Sequence, residues 1–217
     1  MSASIFEIGQ VVRGCLSKYS ITKAIQDGVW LAKNNIEQTV VIKSVRNHPR
    51  VENERDVTKR FQNRTSYLRS LVDEIEGPLE PEPVTIVLKH LHDNLLNASV
   101  KKDLSRREIK YVSRRVLEAL RVLHEDGYVH IDVKLSNVFI NYKEGDVRFS
   151  SVQLGDLGGT IPADSKHAKG GVPVGASMWS SPEVIMETSW NTATDIWSFG
   201  TMVRLIYGLI GDLRRDS

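Results

Sequence analysis

The alternation of apolar and polar residues predicts a set of short β-strands in the first half of the chain. Two segments flank a turn at Gly28, an arrangement typical of a β-hairpin. Two further apolar runs follow, and the first of them carries Lys43 near its end. The segments YSITKAI (19–25), VWLA (29–32) and TVVIKSV (39–45) together predict a small antiparallel sheet, and VTIVLKHL (84–91) is a further candidate for a buried strand.

The clearest helix signal lies in the middle of the chain. Ser105 and Glu108 have the spacing of a capping box, and Gly127 is a natural stop. Leu104 and Ile109 stand where a hydrophobic staple would place them. The segment therefore predicts one long amphipathic helix, and its apolar positions are Ile109, Val112, Val116, Leu120 and Leu123.

Two further helices are predicted. One follows Pro49, a residue tolerated in a first helical turn, and places Glu54 on its apolar side. The other opens at Thr192, with Asp195 three residues on, and continues through IWSFGTMVRLIYG. Between them, VFINY and VRFSSVQLGD predict another hairpin. The apolar residues near Glu54 are Val51, Val57 and Phe61.

The stretch VHIDVKLSNVFI, residues 129–140, has two interpretations. Its apolar and polar residues alternate with a period of two, which is typical of a strand buried on one face. It also holds an acid, a base and an amide, Asp132, Lys134 and Asn137, within six residues. A solvated strand face does not require such a set. The second interpretation is a loop that carries chemistry and leads into a strand.

The overall composition restricts the class of protein. With 217 residues, of which 41% are hydrophobic, the chain can form one large or two modest domains. The formal charge of +2 gives no general reason to expect nucleic acid or an anionic membrane as a partner. Cys15 is the only cysteine, which excludes an internal disulfide and suits a reducing compartment.

The residues near the two ends of the sequence bear on where the protein is expected to be located. The first residues lack a basic region followed by a long apolar run, and Arg204 interrupts the apolar stretch near the end. The sequence therefore predicts an intracellular protein, in the cytoplasm or the nucleus, without a membrane span.

The candidate residues follow one another in a recognisable order. They are Lys43 on a strand, Glu54 on the next helix, HIDVKLSN after the long helix, DLG after a hairpin, SPE, and DIWSFG. This set resembles the eukaryotic protein kinase family of the serine/threonine type. Any one motif would be weak, whereas six in the expected order are strong. The motifs look similar to those of divergent, compact kinase-like proteins of fungi.

The resemblance implies an α+β, bilobal protein-kinase-like fold. Residues 1–18 would be an N-terminal extension, residues 19–91 the antiparallel-sheet N-lobe and hinge, and residues 92–217 the C-lobe. The C-lobe would be mainly helical and truncated, because the family continues with further helices, and the chain could be a fragment. An oligomer or a partner could then use the uncovered C-lobe surface, an apolar patch formed by Trp197, Val203, Ile206 or Ile210.

The resemblance also implies a site for ATP. Lys43, paired with Glu54, would hold the α- and β-phosphates, and Glu52 is the alternative partner. Gly28 would belong to the loop that covers the phosphates. Adenine would meet backbone groups of the hinge, which consists of Lys89, His90 and Leu91.

Catalytic, metal-binding and supporting residues are implied in the same way. Asp132 would accept the proton of the substrate hydroxyl, and Lys134 would neutralise the γ-phosphate. Asn137 and Asp156 would hold Mg²⁺. The expected reaction is ATP-dependent phosphoryl transfer to serine or threonine hydroxyls of protein substrates. Residues that would support the geometry, with Gly158 allowing a sharp turn, are His130, Gly158, Glu183 and Asp195.

Departures from the family pattern leave other functions open. Gly28 stands alone where a Gly-x-Gly-x-x-Gly loop is expected, Ile131 replaces an arginine, and Ala176 replaces a threonine. The main alternative is a pseudokinase, a nucleotide-binding or scaffolding module that transfers little phosphate. A small-molecule phosphotransferase is a less favoured alternative. The expected partners are a protein substrate and ATP, with neither nucleic acid nor a membrane.

Overall fold

The computed structural model describes residues 5–46, 49–75 and 83–212, with the backbone alone for residues 208–212. Within these ranges the N-terminal part forms an antiparallel sheet with one helix, α1 (Arg50–Phe61). The strands are β1 (Val11–Arg13), β2 (Lys18–Gln26), β3 (Val29–Asn34), β4 (Thr39–Ser44), β5 (Leu71–Glu74) and β6 (Thr85–Lys89). Their order in the sheet is β1-β2-β3-β4-β6-β5.

The C-terminal part is mainly helical. Its helices are α2 (Leu95–Lys101), α3 (Arg106–Glu125), α4 (Lys166–Lys169), α5 (Pro182–Ile185) and α6 (Ala193–Asp212). Five short strands accompany them: β7 (Asp93–Asn94), β8 (Tyr128–Val129), β9 (Val138–Tyr142), β10 (Phe149–Leu154) and β11 (Ile161–Pro162). They form one sheet in the order β10-β9-β7 and a second from β11 and β8. The predicted α+β architecture, an antiparallel sheet followed by a helical part, is confirmed.

The strands predicted in the first half of the chain all form, as β2, β3, β4 and β6. Both predicted hairpins form, since β2 pairs with β3 and β9 with β10. The edge strand β1 was missed because it has three residues, of which only Val12 is buried. Val11 pairs with Ser20 of β2, so residues 11–13 belong to the sheet, although the sequence placed them in an N-terminal extension.

Helix α1 joins the two parts of the molecule through its apolar side. Val51, in its first turn, packs with Ile86 and Leu88 of the sheet. Phe61, in its last turn, belongs to the main core of the helical part, where its ring meets that of Tyr128 edge-on at 5.3 Å. Because the two ends of one rigid helix are buried in different cores, α1 fixes the sheet relative to the helical part.

Helix α3 begins as its sequence predicts. Ser105 Oγ accepts a hydrogen bond from the amide of Glu108 at 3.2 Å, and the Glu108 carboxylate accepts one from the amide of Ser105 at 2.8 Å. The predicted apolar positions are all buried. The helix ends before Gly127, whose φ of 75° is the left-handed conformation that favours glycine. The capping box is confirmed.

The ambiguous stretch at residues 129–140 is a loop that leads into a strand. Residues 130–134 have no regular structure, residues 135–137 form one 3-10 turn, and β9 starts at Val138. Val133 and Leu135 are buried, as the alternation suggests, but His130 and Asn137 are buried too. Two buried polar side chains are incompatible with a solvated strand face, so the strand interpretation is wrong for residues 130–137.

The apolar patch predicted on the last helix is only partly present. The side chain of Trp197 is half exposed, but Ile206 is buried in the main core and Val203 packs against that core. Ile206 is covered and Val203 partly covered because residues three apart on α6 share the face that meets α3. The side chain of Ile210 lies outside the described residues. Among the described helices, none combines the length and apolar character that crossing a membrane requires.

Ser105→Ala should lower the free energy of unfolding by about 1 kcal/mol, because the Glu108 amide loses its acceptor. Urea denaturation followed by circular dichroism measures the change. Ser113→Ala, in the middle of the same helix, is the matched control and should leave stability unchanged or slightly raised, since alanine favours helices. Equal destabilisation by both substitutions would contradict a capping role for Ser105.

Candidate active site

A lysine and two carboxylates meet where the sheet faces the helical part. Lys43 Nζ, near the end of β4, lies 2.6 Å from Oε2 of Glu54 in α1. The same nitrogen lies 2.8 Å from Oδ1 of Asp156, which follows β10. The Glu54 side chain is 3% exposed. One ammonium group therefore joins the sheet, α1 and the segment after β10.

The charges of this cluster stabilise one another. Burial alone would lower the pKa of Lys43, but the carboxylates of Glu54 and Asp156 outweigh burial and raise it above its ordinary value. Burial alone would raise the pKa of Asp156, but the Lys43 ammonium outweighs burial and lowers it. Lys43 and Asp156 are therefore both charged at neutral pH.

Helix geometry decides which glutamate faces Lys43. Glu54 lies three residues from both Val51 and Val57 and is buried on their side of α1, whereas Glu52 is exposed. Residues three or four apart share one face of a helix. Glu54, and not the alternative Glu52, therefore contacts Lys43.

The acid, base and amide of the loop at 130–137 form a second cluster. The Asp132 carboxylate accepts hydrogen bonds from Lys134 Nζ at 2.7 and 3.0 Å. It also accepts one from Asn137 Nδ2 at 2.9 Å, and this nitrogen donates to the Asp132 carbonyl at 2.8 Å. Asn137 is buried, while Asp132 and Lys134 remain partly exposed. The amide thus orients a carboxylate that solvent or a ligand can reach.

A cavity of about 130 Å³ lies between Asp156 of the first cluster and the second cluster. Asp132, Lys134 and Asp156 line it together, and Lys134 contributes to lowering the pKa of Asp156. Two carboxylates and an ammonium group in one cavity can accept a proton from a hydroxyl group and neutralise an anion beside it. The other residues that line the cavity are Arg50, Ile131, Gly159, Gly175 and Ala176.

Asp195, at the start of α6, holds the backbone of the loop. Its buried carboxylate accepts hydrogen bonds from the amides of His130 at 2.8 Å and Ile131 at 2.9 Å. Ile131 has a φ of 63°, which is unfavourable for a β-branched residue. The His130 ring lies 3.1 Å from the carbonyl of Gly155, next to Asp156. Asp195 and His130 therefore connect the strained loop to α6 and to the segment after β10.

The sharp backbone turn at the end of β10 lies at Asp156, with a φ of 59°, rather than at Gly158. Gly158 is needed for a different reason, since a Cβ there would lie 2.8 Å from the carbonyl oxygen of Arg50 in α1. Asn53 adds a contact that the sequence did not indicate, because its Nδ2 donates to the carbonyls of Gly158 and Thr160 at 3.0 and 2.9 Å. Helix α1 and this segment are thus joined by close approach and by hydrogen bonds.

Gly28 occupies the turn between β2 and β3. Its φ is 72°, and a Cβ would lie 2.8 Å from the Ser44 carbonyl oxygen and 2.7 Å from the Val45 side chain. Glycine is therefore required for the turn and for its approach to the end of β4. The proximity to β4 also places Gly28 beside the strand that carries Lys43, although a role in covering phosphates stays a prediction.

The segment predicted to be the hinge makes an interaction that the sequence did not indicate. Lys89 is exposed, His90 is half-buried and Leu91 is buried. The carbonyl of Lys89 accepts a hydrogen bond from Nε of Arg69 at 2.8 Å. The guanidinium carbon of Arg69 also lies 4.3 Å from the centre of the Phe139 ring. The available signal was weak: a lone arginine in the otherwise uncharged run YLRSLV.

Glu183 is the predicted residue that lies away from the other site residues. It is half-buried in α5 and lines a surface groove with Trp197 and Arg204 of α6. That groove does not share a residue with the cavity beside Asp132. A supporting role for Glu183 stays a prediction.

The donors available for a metal ion are few. The described residues contain no group of three or more histidine, cysteine, aspartate or glutamate side chains placed to hold one. Asp156 is partly exposed, and in the described contacts Lys43 engages only its Oδ1. One carboxylate with an amide oxygen from Asn137 is a donor set that fits Mg²⁺, which takes its remaining ligands from phosphates and water.

Comparison with known proteins places this geometry in a family. Residues 22–209 match the family model described as the protein kinase domain. Serine/threonine-protein kinase SMU1 of Mycosarcoma maydis is 32% identical over 135 residues, which cover 62% of this chain and 17% of the relative. Serine/threonine-protein kinase sid1 of Schizosaccharomyces pombe is 24% identical over 201 residues, covering 89% and 42%. The chain thus spans less than half the length of these relatives.

A solved structure shares the fold. A chain of the yeast RNA Pol II CTD kinase CTDK-1 complex superposes with a TM-score of 0.74 at 19% identity, covering 88% of this chain and 62% of that chain. This similarity confirms the bilobal kinase-like fold. Because the family model covers most of the residues, including both charged clusters, this chain belongs to the eukaryotic protein kinase family.

Proposed function

We propose that this chain is an ATP- and Mg²⁺-dependent kinase that phosphorylates serine or threonine hydroxyls of protein substrates. The observation that carries the proposal is the simultaneous contact of Lys43 with Glu54 and Asp156. This contact places a cation and a metal-binding carboxylate side by side, next to the cavity that holds Asp132. The names of the similar relatives support the serine/threonine class.

Phosphoryl transfer requires the protein to position two reactants and to neutralise charge on phosphate oxygens. Lys43 would bind the α- and β-phosphates, while Asp156 and Asn137 would hold Mg²⁺. The metal, when bound, would supply charge neutralisation at the phosphate oxygens. The base of ATP would lie toward the hinge, with Gly28 near the phosphates.

Asp132 and Lys134 would act on the substrate. Asp132 would accept the hydroxyl proton, and Lys134, which already contacts it at 2.7 Å, would neutralise the transferred group. Asn137 orients the carboxylate through its hydrogen bond. The protein substrate would enter beside Gly175 and Ala176, which line the same cavity. Since Ala176 has no hydroxyl, substrate contacts here would depend on backbone groups.

The sequence-based division of the chain is part of the proposal. Residues 19–91 would form the N-lobe and hinge and residues 92–217 the C-lobe. The pairing of β1 with β2 extends the N-lobe sheet into residues 11–13, inside the segment 1–18. The intracellular location also remains a prediction.

A second candidate function is a nucleotide-binding or scaffolding module with little phosphate transfer. One specific observation favours the scaffolding form of this alternative, since Arg69 occupies the space between the hinge carbonyl and Phe139. The intact contacts of Lys43 and Asp132 favour the enzyme instead. Transfer of phosphate, measured directly, separates the two.

Asp132→Asn should reduce Mg²⁺-dependent transfer of labelled γ-phosphate from ATP to a mixed protein substrate by about a hundredfold or more, because the general base is lost. Asp164→Asn, which makes the same chemical change at an exposed position, is the matched control and should retain activity. No transfer by the folded wild-type chain would reject the kinase proposal in favour of the binding module.

Lys43→Met should lower the same activity by roughly 10² to 10³, because a preorganised cation at the phosphates is removed. Lys33→Met, on the neighbouring strand, removes an exposed lysine that pairs with Glu37 and should leave transfer unchanged. Equal activity of Lys43→Met and the wild type would exclude a role for Lys43 in phosphate binding.

The Lys43 cluster should also make stability depend on pH. The pKa of Asp156 is lower in the folded chain, so its stabilising contribution is present above its unfolded value of about 3.9 and is lost as pH falls through the folded value. The difference in unfolding free energy between the wild type and Lys43→Met should therefore shrink below about pH 4. Urea titrations at several pH values test this, and a difference that grows on acidification would contradict it.

A further inference from the structure

Arg69 is an arginine held inside the protein beside the hinge. It is 8% exposed and precedes β5. Its Nε donates to the carbonyl oxygen of Lys89 at 2.8 Å, and its guanidinium carbon lies 4.3 Å from the centre of the Phe139 ring in β9. The flat guanidinium group thus packs on an apolar ring and donates to a backbone carbonyl. A flat heteroaromatic ring could make the same two contacts.

The backbone around Arg69 is arranged to admit this side chain. The amide of Arg69 donates to the carbonyl of Leu154 at 2.8 Å, which sets the register of the segment against the end of β10. The next residue is Gly155, and a Cβ there would lie 2.8 Å from the Phe139 ring and 3.1 Å from Cδ of Arg69. Any larger residue at position 155 would compete for the volume that Arg69 and Phe139 share.

The location coincides with the place where the base of a bound nucleotide would lie, given the proposed function on which this inference rests. With phosphates at Lys43, the base would extend toward the hinge. A purine needs a flat apolar surface and a backbone hydrogen-bonding group there. Phe139 and the Lys89 carbonyl supply these two features, and Arg69 occupies both.

We propose that Arg69 is an internal competitor for the base: its guanidinium fills the base subsite between the Lys89 carbonyl and Phe139, so nucleotide binding requires this side chain to leave. Arg69 would thereby lower the affinity for the base.

Departure of Arg69 is physically feasible because its guanidinium makes a single hydrogen bond to the described part of the protein. Burial lowers the pKa of Arg69 to about 10, partly offset by Glu54 and Asp156, so the group remains a cation at neutral pH. In the described contacts its one hydrogen bond is that to Lys89, and its terminal nitrogens remain in contact with solvent. Moving the group fully into water therefore breaks one hydrogen bond to the protein and restores the hydration that burial removed.

The test compares adenosine binding to the wild type and to Arg69→Leu by isothermal titration calorimetry. Adenosine lacks phosphates, so it reports on the base subsite without the charge of Arg69 acting on phosphate groups. Arg69→Leu removes the guanidinium, which competes with the base through one charge-assisted hydrogen bond and one ring contact. Adenosine binding should therefore become about tenfold to a hundredfold tighter. Mg²⁺-tripolyphosphate, which has no base, should bind no more tightly to the variant than to the wild type.

Two further variants keep the test decisive. Arg64→Leu removes an arginine that also lies over an aromatic ring, that of Phe61 at 5.2 Å, and should leave adenosine affinity unchanged. Arg69→Met keeps an unbranched aliphatic chain but lacks the guanidinium that fills the base subsite, and it replaces Arg69→Leu if the latter does not fold. Urea denaturation identifies folded variants. If Arg69 were only a structural brace, these substitutions would lower stability without any gain in adenosine affinity.

The outcomes separate this inference from the proposed function. Unchanged or weaker adenosine binding by a folded Arg69 variant overturns the role of Arg69, even if the wild type transfers phosphate. Tighter adenosine binding supports the role of Arg69, even if the wild type transfers no phosphate. In that case only the proposed kinase activity is rejected. A gain of equal size for Mg²⁺-tripolyphosphate would also overturn the role of Arg69, since the effect would not be located at the base subsite.

Discussion

The contact of Lys43 with two carboxylates is the interaction on which the arrangement of the site depends. A lysine this far removed from solvent stays charged only if counter-charges offset the cost of burial, and Glu54 and Asp156 provide them from two other parts of the chain. Loss of either carboxylate would leave charge poorly compensated, which is strongly unfavourable inside a protein. The cluster therefore holds β4, α1 and the segment after β10 together, and it places Asp156 at the cavity that also contains Asp132.

Helix α1 carries Glu54 and is packed into both hydrophobic cores. Val51 packs with the sheet and Phe61 with the helical part, so the helix cannot shift toward one without losing contacts in the other. Asn53 adds hydrogen bonds to the carbonyls of Gly158 and Thr160 on the far side of Asp156. Because apolar burial and directed hydrogen bonds act on one rigid element, Glu54 is presented to Lys43 in a defined position.

Two unfavourable local features lie next to the site, and each has a specific compensation. Ile131 adopts a left-handed conformation that its β-branched side chain disfavours, and the Asp195 carboxylate accepts the amide hydrogens of Ile131 and the residue before it. Arg69 is a buried cation, and the Lys89 carbonyl and Phe139 ring receive it. Such violations of local preference are concentrated at functional sites, because a surrounding structure is needed to maintain them.

The sequence by itself determined the elements whose signals are local. The capping box at Ser105, the glycine turn at Gly28 and the periodicity of α3 involve residues a few positions apart. Ordered motifs indicated Lys43, Asp132 and Asp156 as candidate site residues. Only the tertiary structure decided which distant groups meet: Arg69 finds an acceptor 20 residues away, Ile131 one 64 away and Asn53 one 105 away. No local pattern specifies such contacts, since they arise from the way the sheet, α1 and the helical part are packed against one another.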